Sequence, residues 1–183
     1  QFPAALGAVV PAYDLPGVDT PLQLTGAVLV DIYLGRISSW NDAQIQKLNP
    51  KVALPKTPIT PVFRTDGSGT THVFTSYLAT QSPEFKGEVG VGKQVKWPLG
   101  QGGKGNEGVA AVIQQTAGAI GYIEHNYAIA NKISYGAVQN KAGKFVLATP
   151  ESVSAAGDAS SGELKGNVLR ADVWNAPGEG AYP

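Results

Sequence analysis

Apolar residues follow two alternating spacings along the chain. Short continuous apolar runs are typical of buried strands, whereas apolar residues that recur every three or four positions are typical of helices with one buried face. Because the two kinds of segment alternate almost throughout, the pattern predicts an α/β layered domain. We predict buried strands over residues 6–13, 59–63 and 118–123, helices over residues 26–34, 71–79 and 106–115, and a short helix through Tyr127 and Ile129.

Residues that favour helix ends and turns set further boundaries. Thr25 can cap the first helix at its N-terminus. Asn41 or Asp42 can cap a second, short helix that stops before Pro50. Three other segments are predicted from local composition: a strand over residues 95–98, a hairpin-like pair over residues 133–138 and 144–148, and a mobile loop over residues 155–166.

Composition excludes several classes of function. The 183 residues suffice for one domain with a full core, and the formal net charge of zero provides no basic surface to hold nucleic acid. The longest apolar runs are far shorter than a membrane span. The absence of cysteine excludes disulfides, iron–sulfur clusters and thiol catalysis.

The chain also contains no methionine. Because translation begins with methionine, we expect that Gln1 is not the native start of the open reading frame. Either a leader has been removed or the chain is an internal piece of a longer one, and no secretory signal at Gln1 decides between the two.

The most informative stretch is a loop rich in glycine and hydroxyl residues, which we call the first glycine loop (residues 64–71). It lies between a predicted strand and a predicted helix, where unpaired backbone N–H groups and the positive end of the helix dipole favour an anion. Gly67 and Gly69 allow close backbone approach, and Ser68 and Thr70 supply hydroxyl groups. The simpler interpretation is an ordinary helix cap at Ser68 or Thr70.

Arg64 and Asp66 accompany these glycines. Arg64 carries a planar fork of donors that suits a tetrahedral oxyanion. Asp66 could orient Arg64, or it could accept a proton from a protonated ligand oxygen. The alternative without a ligand is an exposed ion pair worth less than about 1 kcal/mol.

A second glycine loop (residues 100–108) lacks the Gly-Lys-Ser/Thr ending of a nucleotide-binding P-loop. We interpret it as a turn that packs beside the first loop and lends Lys104 as a distant positive charge. His72 and His125 are isolated and lack the spacing of a metal site, so we expect no metal or cofactor. Ser68, His72 and Asp66 are too close in sequence to form a catalytic triad.

A series of ordered motifs along nearly the whole chain resembles the periplasmic phosphate-binding proteins of bacterial phosphate ABC transporters (PstS type). The resemblance is specific rather than a likeness of fold alone. It rests on Asp31-Ile32-Tyr33-Leu34-Gly35-Arg36-Ile37, Trp40-Asn41-Asp42, Asp66-Gly67-Ser68-Gly69-Thr70, Gly102-Gly103-Lys104-Gly105-Asn106-Glu107-Gly108 and Gly118-Ala119-Ile120-Gly121-Tyr122-Ile123-Glu124.

The resemblance implies one lobe of a two-lobed clamp, a periplasmic-binding-protein type II fold with a mixed sheet flanked by helices. Residues 1–183 correspond to the continuous middle segment, the second lobe, and the first lobe is missing. The implied ligand is inorganic phosphate, the implied partner is the membrane permease of an ABC importer, and the implied location is the periplasm or the outer cell surface. The phosphate ligands carried over by the resemblance are Arg64, Asp66, Ser68, Gly69 and Thr70.

Three rival functions stay open from the residues. A phosphatase would use Ser68 or Thr70 as its nucleophile, although no base with suitable spacing accompanies them. A receptor for another oxyanion, such as sulfate, could be built on the same fold. The third alternative is a free-standing interaction domain that has lost anion binding altogether. We expect a binding protein rather than an enzyme.

Overall fold

The structure is a computed structural model that describes residues 6–161 and 173–183. Strands and helices alternate through most of this part of the chain, as the apolar pattern predicts. The strands are β1 (Val9–Tyr13), β2 (Gln23–Leu24), β3 (Thr60–Arg64), β4 (Gln101–Gly103), β5 (Ala119–Glu124), β6 (Ser134–Tyr135), β7 (Ala137–Gln139) and β8 (Phe145–Val146). The helices are α1 (Gly26–Tyr33), α2 (Ala43–Leu48), α3 (Gly69–Gln81), α4 (Pro83–Glu88), α5 (Gly105–Gln115), α6 (His125–Ala130) and α7 (Pro150–Ser160).

A five-stranded mixed sheet forms the centre, in the order β4-β3-β5-β1-β6. β3 is parallel to both β4 and β5, whereas β1 is antiparallel to β5 and β6. The parallel arrangement brings the carboxyl ends of β3, β4 and β5 to the same edge of the sheet. Loops that follow these three strands therefore meet there, which is where open α/β sheets bind ligands.

Helices cover both faces of the sheet. Phe74 of α3 stacks on Tyr122 of β5 with ring centroids 4.5 Å apart. On the opposite face Gly121 leaves no room for a side chain, since an added Cβ would lie 2.9 Å from Ile113 of α5. Successive residues of a strand point to opposite faces, so α3 and α5 enclose the sheet between them.

The segment predicted as one strand over residues 133–138 forms two strands, β6 and β7, which belong to different sheets. β6 pairs with β1, whereas β7 lies between β2 and β8 in a separate three-stranded sheet. Gly136 lies between β6 and β7 and its N–H donates to the carbonyl of Pro11. The hairpin turn itself is confirmed, because β7 and β8 are antiparallel and Gly143 closes the turn onto Asn140.

Most predicted helix boundaries are confirmed to within two residues. Thr25 caps α1 through its side chain, and Asp42, rather than Asn41, caps α2. The helix predicted over residues 71–79 begins earlier, at Gly69, and extends to Gln81.

Two predictions from composition were wrong. No strand forms over residues 95–98, and the edge strand β4 lies instead within the second glycine loop. Residues 155–160, predicted as part of a mobile loop, belong to helix α7, whose Thr149 and Ser152 form a reciprocal capping box. Small residues such as alanine favour helix once a cap provides the start. The end of that predicted loop, residues 162–166, lies outside the described residues.

Within residues 6–161 and 173–183, none of the helices has the length and apolar character that a membrane crossing requires.

Candidate anion-binding site

The first glycine loop connects the carboxyl end of β3 to the start of α3. Ser68 is the N-cap residue, with extended backbone, and its hydroxyl oxygen accepts a hydrogen bond from the N–H of Thr71. The simple interpretation of Ser68 as a cap is therefore confirmed. The cap also leaves the hydroxyl hydrogen of Ser68 available, so capping and ligand binding are compatible.

Arg64 and Asp66 form a two-pronged ion pair. Arg64 Nε donates to Asp66 Oδ1 at 2.9 Å, and Arg64 Nη2 donates to Asp66 Oδ2 at 2.7 Å. The Arg64 side chain is 10% exposed. Asp66 therefore orients the guanidinium, which was one of the two hypotheses from the sequence. The third nitrogen of the guanidinium, Nη1, makes no hydrogen bond to Asp66.

The ion pair fixes the charge of both groups. The hydrogen bond from Arg64, followed by one from the backbone of Gly105, holds the pKa of Asp66 well below its usual range. The hydrogen bond to Asp66 raises the pKa of Arg64. An aspartate this strongly stabilised as an anion is a poor acceptor for a ligand proton, which favours the orienting role.

The second glycine loop supports the first through its backbone. Gly105 N–H donates to Asp66 Oδ1 at 3.0 Å, and Thr65 N–H donates to the carbonyl of Gly103 at 3.0 Å. Gly102 permits the two loops to lie this close together, because a Cβ there would lie 2.4 Å from Thr65 Cγ2. The interpretation of this loop as a turn packed beside the first is confirmed. Lys104 is exposed.

The start of α3 offers several donors to an anion. Ser68, Thr70 and Thr71 are buried polar residues at this helix end, with Ser68 only 4% exposed. The first N–H groups of an α-helix have no acceptor within the helix. The N–H of Thr71 donates to the hydroxyl oxygen of Ser68, so the backbone N–H groups of Gly69 and Thr70 are available to donate to a ligand.

The side chain of Tyr122 connects the two ends of the first glycine loop, Arg64 and Thr71. Its hydroxyl accepts from the N–H of Arg64 at 3.1 Å and lies 2.9 Å from Thr71 Oγ1. Burial raises the pKa of Tyr122, so the phenol stays protonated. One side chain of β5 thus joins the last residue of β3 to the first turn of α3.

Glu124 approaches the loop from the end of β5. Its Oε1 accepts from Thr70 Oγ1 at 3.5 Å and from Asn106 Nδ2 at 3.1 Å. No local signal in the sequence places Glu124 near Thr70, and none predicts Tyr122 or Asn106 as residues of this site. The available signal was topological, since Glu124 ends β5 and Asn106 lies in the first turn of α5, both at the carboxyl edge of the sheet, and Tyr122 lies two residues before Glu124.

The side chains of His72 and Glu107 contact residues outside this cluster. The ring of His72 lies edge-on to Trp174, with centroids 5.8 Å apart, and no hydrogen bond from it to Ser68 occurs among the described residues. Glu107 accepts from the hydroxyl of Tyr127. Within residues 6–161 and 173–183, no three His, Asp or Glu side chains lie close enough together to hold a metal ion.

Two recesses lie near the loop without enclosing it. An apolar cavity of about 60 Å³ is lined by Val73, Phe74 and Trp174, and its walls do not suit an anion. An open recess of about 830 Å³ is lined by Glu124, His125 and residues of the chain near Gly7. Neither recess is lined by residues 64–71, and Gly67 and Gly69 of the first glycine loop are exposed to solvent.

We expect the Arg64–Asp66 pair to make folding stability depend on acid pH. A carboxyl group whose pKa is lowered by folding stabilises the protein fully above its unfolded pKa of about 3.9, and this contribution is lost as pH falls below that value. The free energy of unfolding should therefore fall less steeply between pH 5 and pH 2 in an Asp66→Asn variant than in the unmodified protein. Denaturant titration at several pH values measures this, and equal slopes would show that the pair makes no contribution.

Comparison with known proteins places these features in context. A family model described as a PBP superfamily domain matches residues 1–183. The phosphate-binding protein PstS of Xylella fastidiosa strain Temecula1 is 50% identical over 186 residues, which cover 100% of this chain and 50% of that protein. PstS of Haemophilus influenzae is 44% identical over 184 residues, covering 100% of this chain and 55% of its own. The chain thus spans about half the length of the curated relatives it matches.

Solved structures show the same likeness. A putative phosphate ABC transporter substrate-binding protein from Clostridium perfringens, with bound phosphate, aligns at a TM-score of 0.59 and 25% identity over 84% of this chain and 51% of that one. A high-affinity periplasmic phosphate-binding protein, PfluDING, aligns at a TM-score of 0.68 and 20% identity over 85% of this chain and 44% of its own. At that identity the second match supports the fold alone.

Proposed function

The chain belongs to the PBP superfamily, and on this premise we propose that it is one lobe of a two-lobed receptor for inorganic phosphate. The lobe comprises residues 1–183, and the other lobe comes from the rest of the same polypeptide. The receptor works outside the cytoplasm, in the periplasm or at the cell surface, and delivers phosphate to the membrane permease of a phosphate ABC transporter. The names of the relatives support this role for the family.

The observation that carries the proposal is the oriented guanidinium beside a helix N-terminus. Asp66 holds Arg64 by two hydrogen bonds, and the next residues along the chain begin α3. A tetrahedral oxyanion at this corner receives hydrogen bonds from Arg64 Nη1, the hydroxyl of Ser68 and the N–H groups of Gly69 and Thr70. Arg64 contributes a positive charge, and the helix start contributes N–H groups of fixed direction; both favour binding of phosphate.

The open position of the loop supports a clamp. The donors lie on one side of the expected ligand, so the remaining phosphate oxygens are free to contact a second lobe. Closure of the two lobes excludes water and strengthens every electrostatic contact to the anion.

The lobe binds phosphate and catalyses no reaction on it. A hydrolase would need a base within about 2.6–3.2 Å of its nucleophile. Among the described residues no carboxylate or imidazole bonds Ser68 Oγ, and the 3.5 Å between Thr70 Oγ1 and Glu124 is longer than this range.

Calorimetric titration of the full-length receptor with inorganic phosphate at constant ionic strength tests the proposal. We expect saturable binding at one site, with sulfate as a weaker competitor. With a chromogenic phosphate ester, the protein should release no more product than a Ser68→Ala/Thr70→Ala variant does. Absence of saturable phosphate binding, or hydrolysis clearly above that of the variant, would overturn the assignment.

A further inference from the structure

The indole nitrogen of Trp97 stands out among the described residues, because it is a buried side-chain donor with no hydrogen-bond partner. An N–H group that is buried without an acceptor destabilises a fold, and few such groups remain in native proteins. Trp97 lies in an irregular segment, since no strand forms over residues 95–98. The neighbours of its ring therefore have to explain its position.

Aromatic packing fixes the ring of Trp97. Three of the surrounding rings belong to elements that form or support the first glycine loop, namely β3, α3 and β5. Five neighbouring rings have centroids 4.9–6.4 Å from that of Trp97, and they belong to Tyr33, Phe63, Phe74, Phe85 and Tyr122. Aromatic contact, rather than a hydrogen bond, thus sets the direction of the indole N–H.

The indole N–H acts on the hydroxyl oxygen of Tyr122. Burial raises the pKa of Tyr122, whereas the N–H of Arg64, the hydroxyl of Thr71 and the indole of Trp97 oppose this rise. A donor has this effect when the positive end of its dipole faces the phenol oxygen. Because the contact does not reach hydrogen-bond geometry, it is a directed electrostatic interaction.

Three groups therefore surround one hydroxyl, and their chemistry decides which way its hydrogen points. A tyrosine hydroxyl donates one hydrogen and accepts through its oxygen. The backbone N–H of Arg64, at 3.1 Å, and the indole N–H of Trp97 can only donate, so the oxygen faces both as an acceptor. The hydrogen of the Tyr122 hydroxyl is then left for Thr71 Oγ1, at 2.9 Å.

We infer that Trp97 is a positioning residue of the anion site, whose indole N–H occupies one side of the Tyr122 oxygen and so directs the Tyr122 hydroxyl hydrogen to Thr71. The inference rests on the proposed function, because its effect on the site is measured as phosphate affinity. Trp97 does not contact the ligand in this scheme. It acts through Tyr122, which fixes the backbone of Arg64 at one end of the first glycine loop and the first turn of α3 at the other.

Tyr33 provides a matched control from the same aromatic cluster. It is a buried tyrosine whose ring centroid lies 4.9 Å from that of Trp97. Its hydroxyl donates to the carbonyl of Val62, in the middle of β3, at 3.1 Å. Tyr33→Phe therefore removes a buried hydrogen bond next to Trp97 and lowers stability, but it leaves the contacts of the Tyr122 hydroxyl in place.

The first measurement is the phosphate affinity of the full-length receptor, by isothermal titration at constant ionic strength. Trp97 is replaced by benzothienylalanine, which keeps the ring shape and has a sulfur atom in place of the N–H group. Affinity should fall roughly three- to tenfold, the effect of about one uncharged hydrogen bond. In a Tyr122→Phe background the same replacement should have no further effect. Tyr33→Phe should leave affinity unchanged within about twofold.

The second measurement detects the contact itself, in NMR spectra of the ligand-free receptor. The indole N–H resonance of Trp97 should move in Tyr122→Phe, because this variant keeps the ring and removes only the oxygen. The indole of Trp40 donates to the carbonyl of Gly118 at 2.9 Å and serves as an internal reference that should not move. A role of Trp97 in packing alone predicts no such shift.

Unchanged affinity after loss of the indole N–H, or an equal loss with and without the Tyr122 hydroxyl, overturns the inference, as does an unmoved Trp97 resonance. In each of these cases saturable phosphate binding by the unmodified receptor upholds the proposed function. A receptor that binds no phosphate overturns the proposed function and with it the positioning role of Trp97.

Discussion

We expect Arg64→Ala to weaken phosphate binding by the full-length receptor roughly a hundredfold or more. A charge-assisted hydrogen bond contributes about 1.5–3 kcal/mol, which alone corresponds to roughly ten- to a hundredfold in affinity. The variant also leaves Asp66 without its ion-pair partner, next to the bound anion. Arg64→Lys should recover only part of the loss, because a lysine cannot keep both hydrogen bonds to Asp66 while facing the ligand.

Arg36 is the matched control for this experiment. It too is an arginine paired with carboxylates, Asp31 and Glu84, but it is 43% exposed and lies outside the first glycine loop. Arg36→Ala should therefore leave phosphate affinity unchanged within about twofold, since exposed ion pairs contribute little. Isothermal titration measures both variants. Equal affinity of Arg64→Ala and the unmodified receptor would remove Arg64 from the site.

The second large effect concerns the lobe by itself. We expect residues 1–183 alone to fold but to bind phosphate no better than millimolar. Loss of three charge-assisted hydrogen bonds from the other lobe removes roughly 5–9 kcal/mol. A micromolar complex has only about 8 kcal/mol of binding free energy in total. The anion also stays hydrated and screened by salt at an open half-site.

Amide chemical shifts in a phosphate titration followed by NMR test this expectation. Changes should be confined to residues 64–71 and should saturate only at high phosphate concentration. Chloride at matched ionic strength controls for general salt effects. Micromolar saturation would show that the first glycine loop is a complete site and that a second lobe is not needed for affinity.

The strand-to-helix position of the first glycine loop and the Arg64–Asp66 pairing could be predicted from the sequence because their signals are local. Glycines, hydroxyl residues and an Arg-x-Asp pair between a strand and a helix predicted the first glycine loop and the orienting role of Asp66. The helix starts were predicted for the same reason, as Thr25 and Ser68 act on neighbouring N–H groups. Local chemistry of this kind depends on spacing in the chain and needs no knowledge of the fold.

The partners that support the loop could not be predicted, because they come from distant segments. Tyr122 reaches Arg64 across 58 positions, and Glu124 reaches Thr70 across 54. Both contacts depend on β5 being the neighbour of β3, which the order of elements along the chain does not specify. The edge strand β4 could not be predicted for a related reason. Its glycines are poor strand formers, and Gly103 is there because α5 approaches its backbone closely.

The position of Tyr122 has a consequence for the entropy of binding. Its hydroxyl connects Arg64 and Thr71, the two ends of the first glycine loop, and its ring stacks on Phe74 within the core. We therefore expect ordering of the loop to accompany formation of the core and to precede the arrival of a ligand. The conformational entropy of the loop is lost during folding, not during association, so the contacts to the anion do not have to offset it.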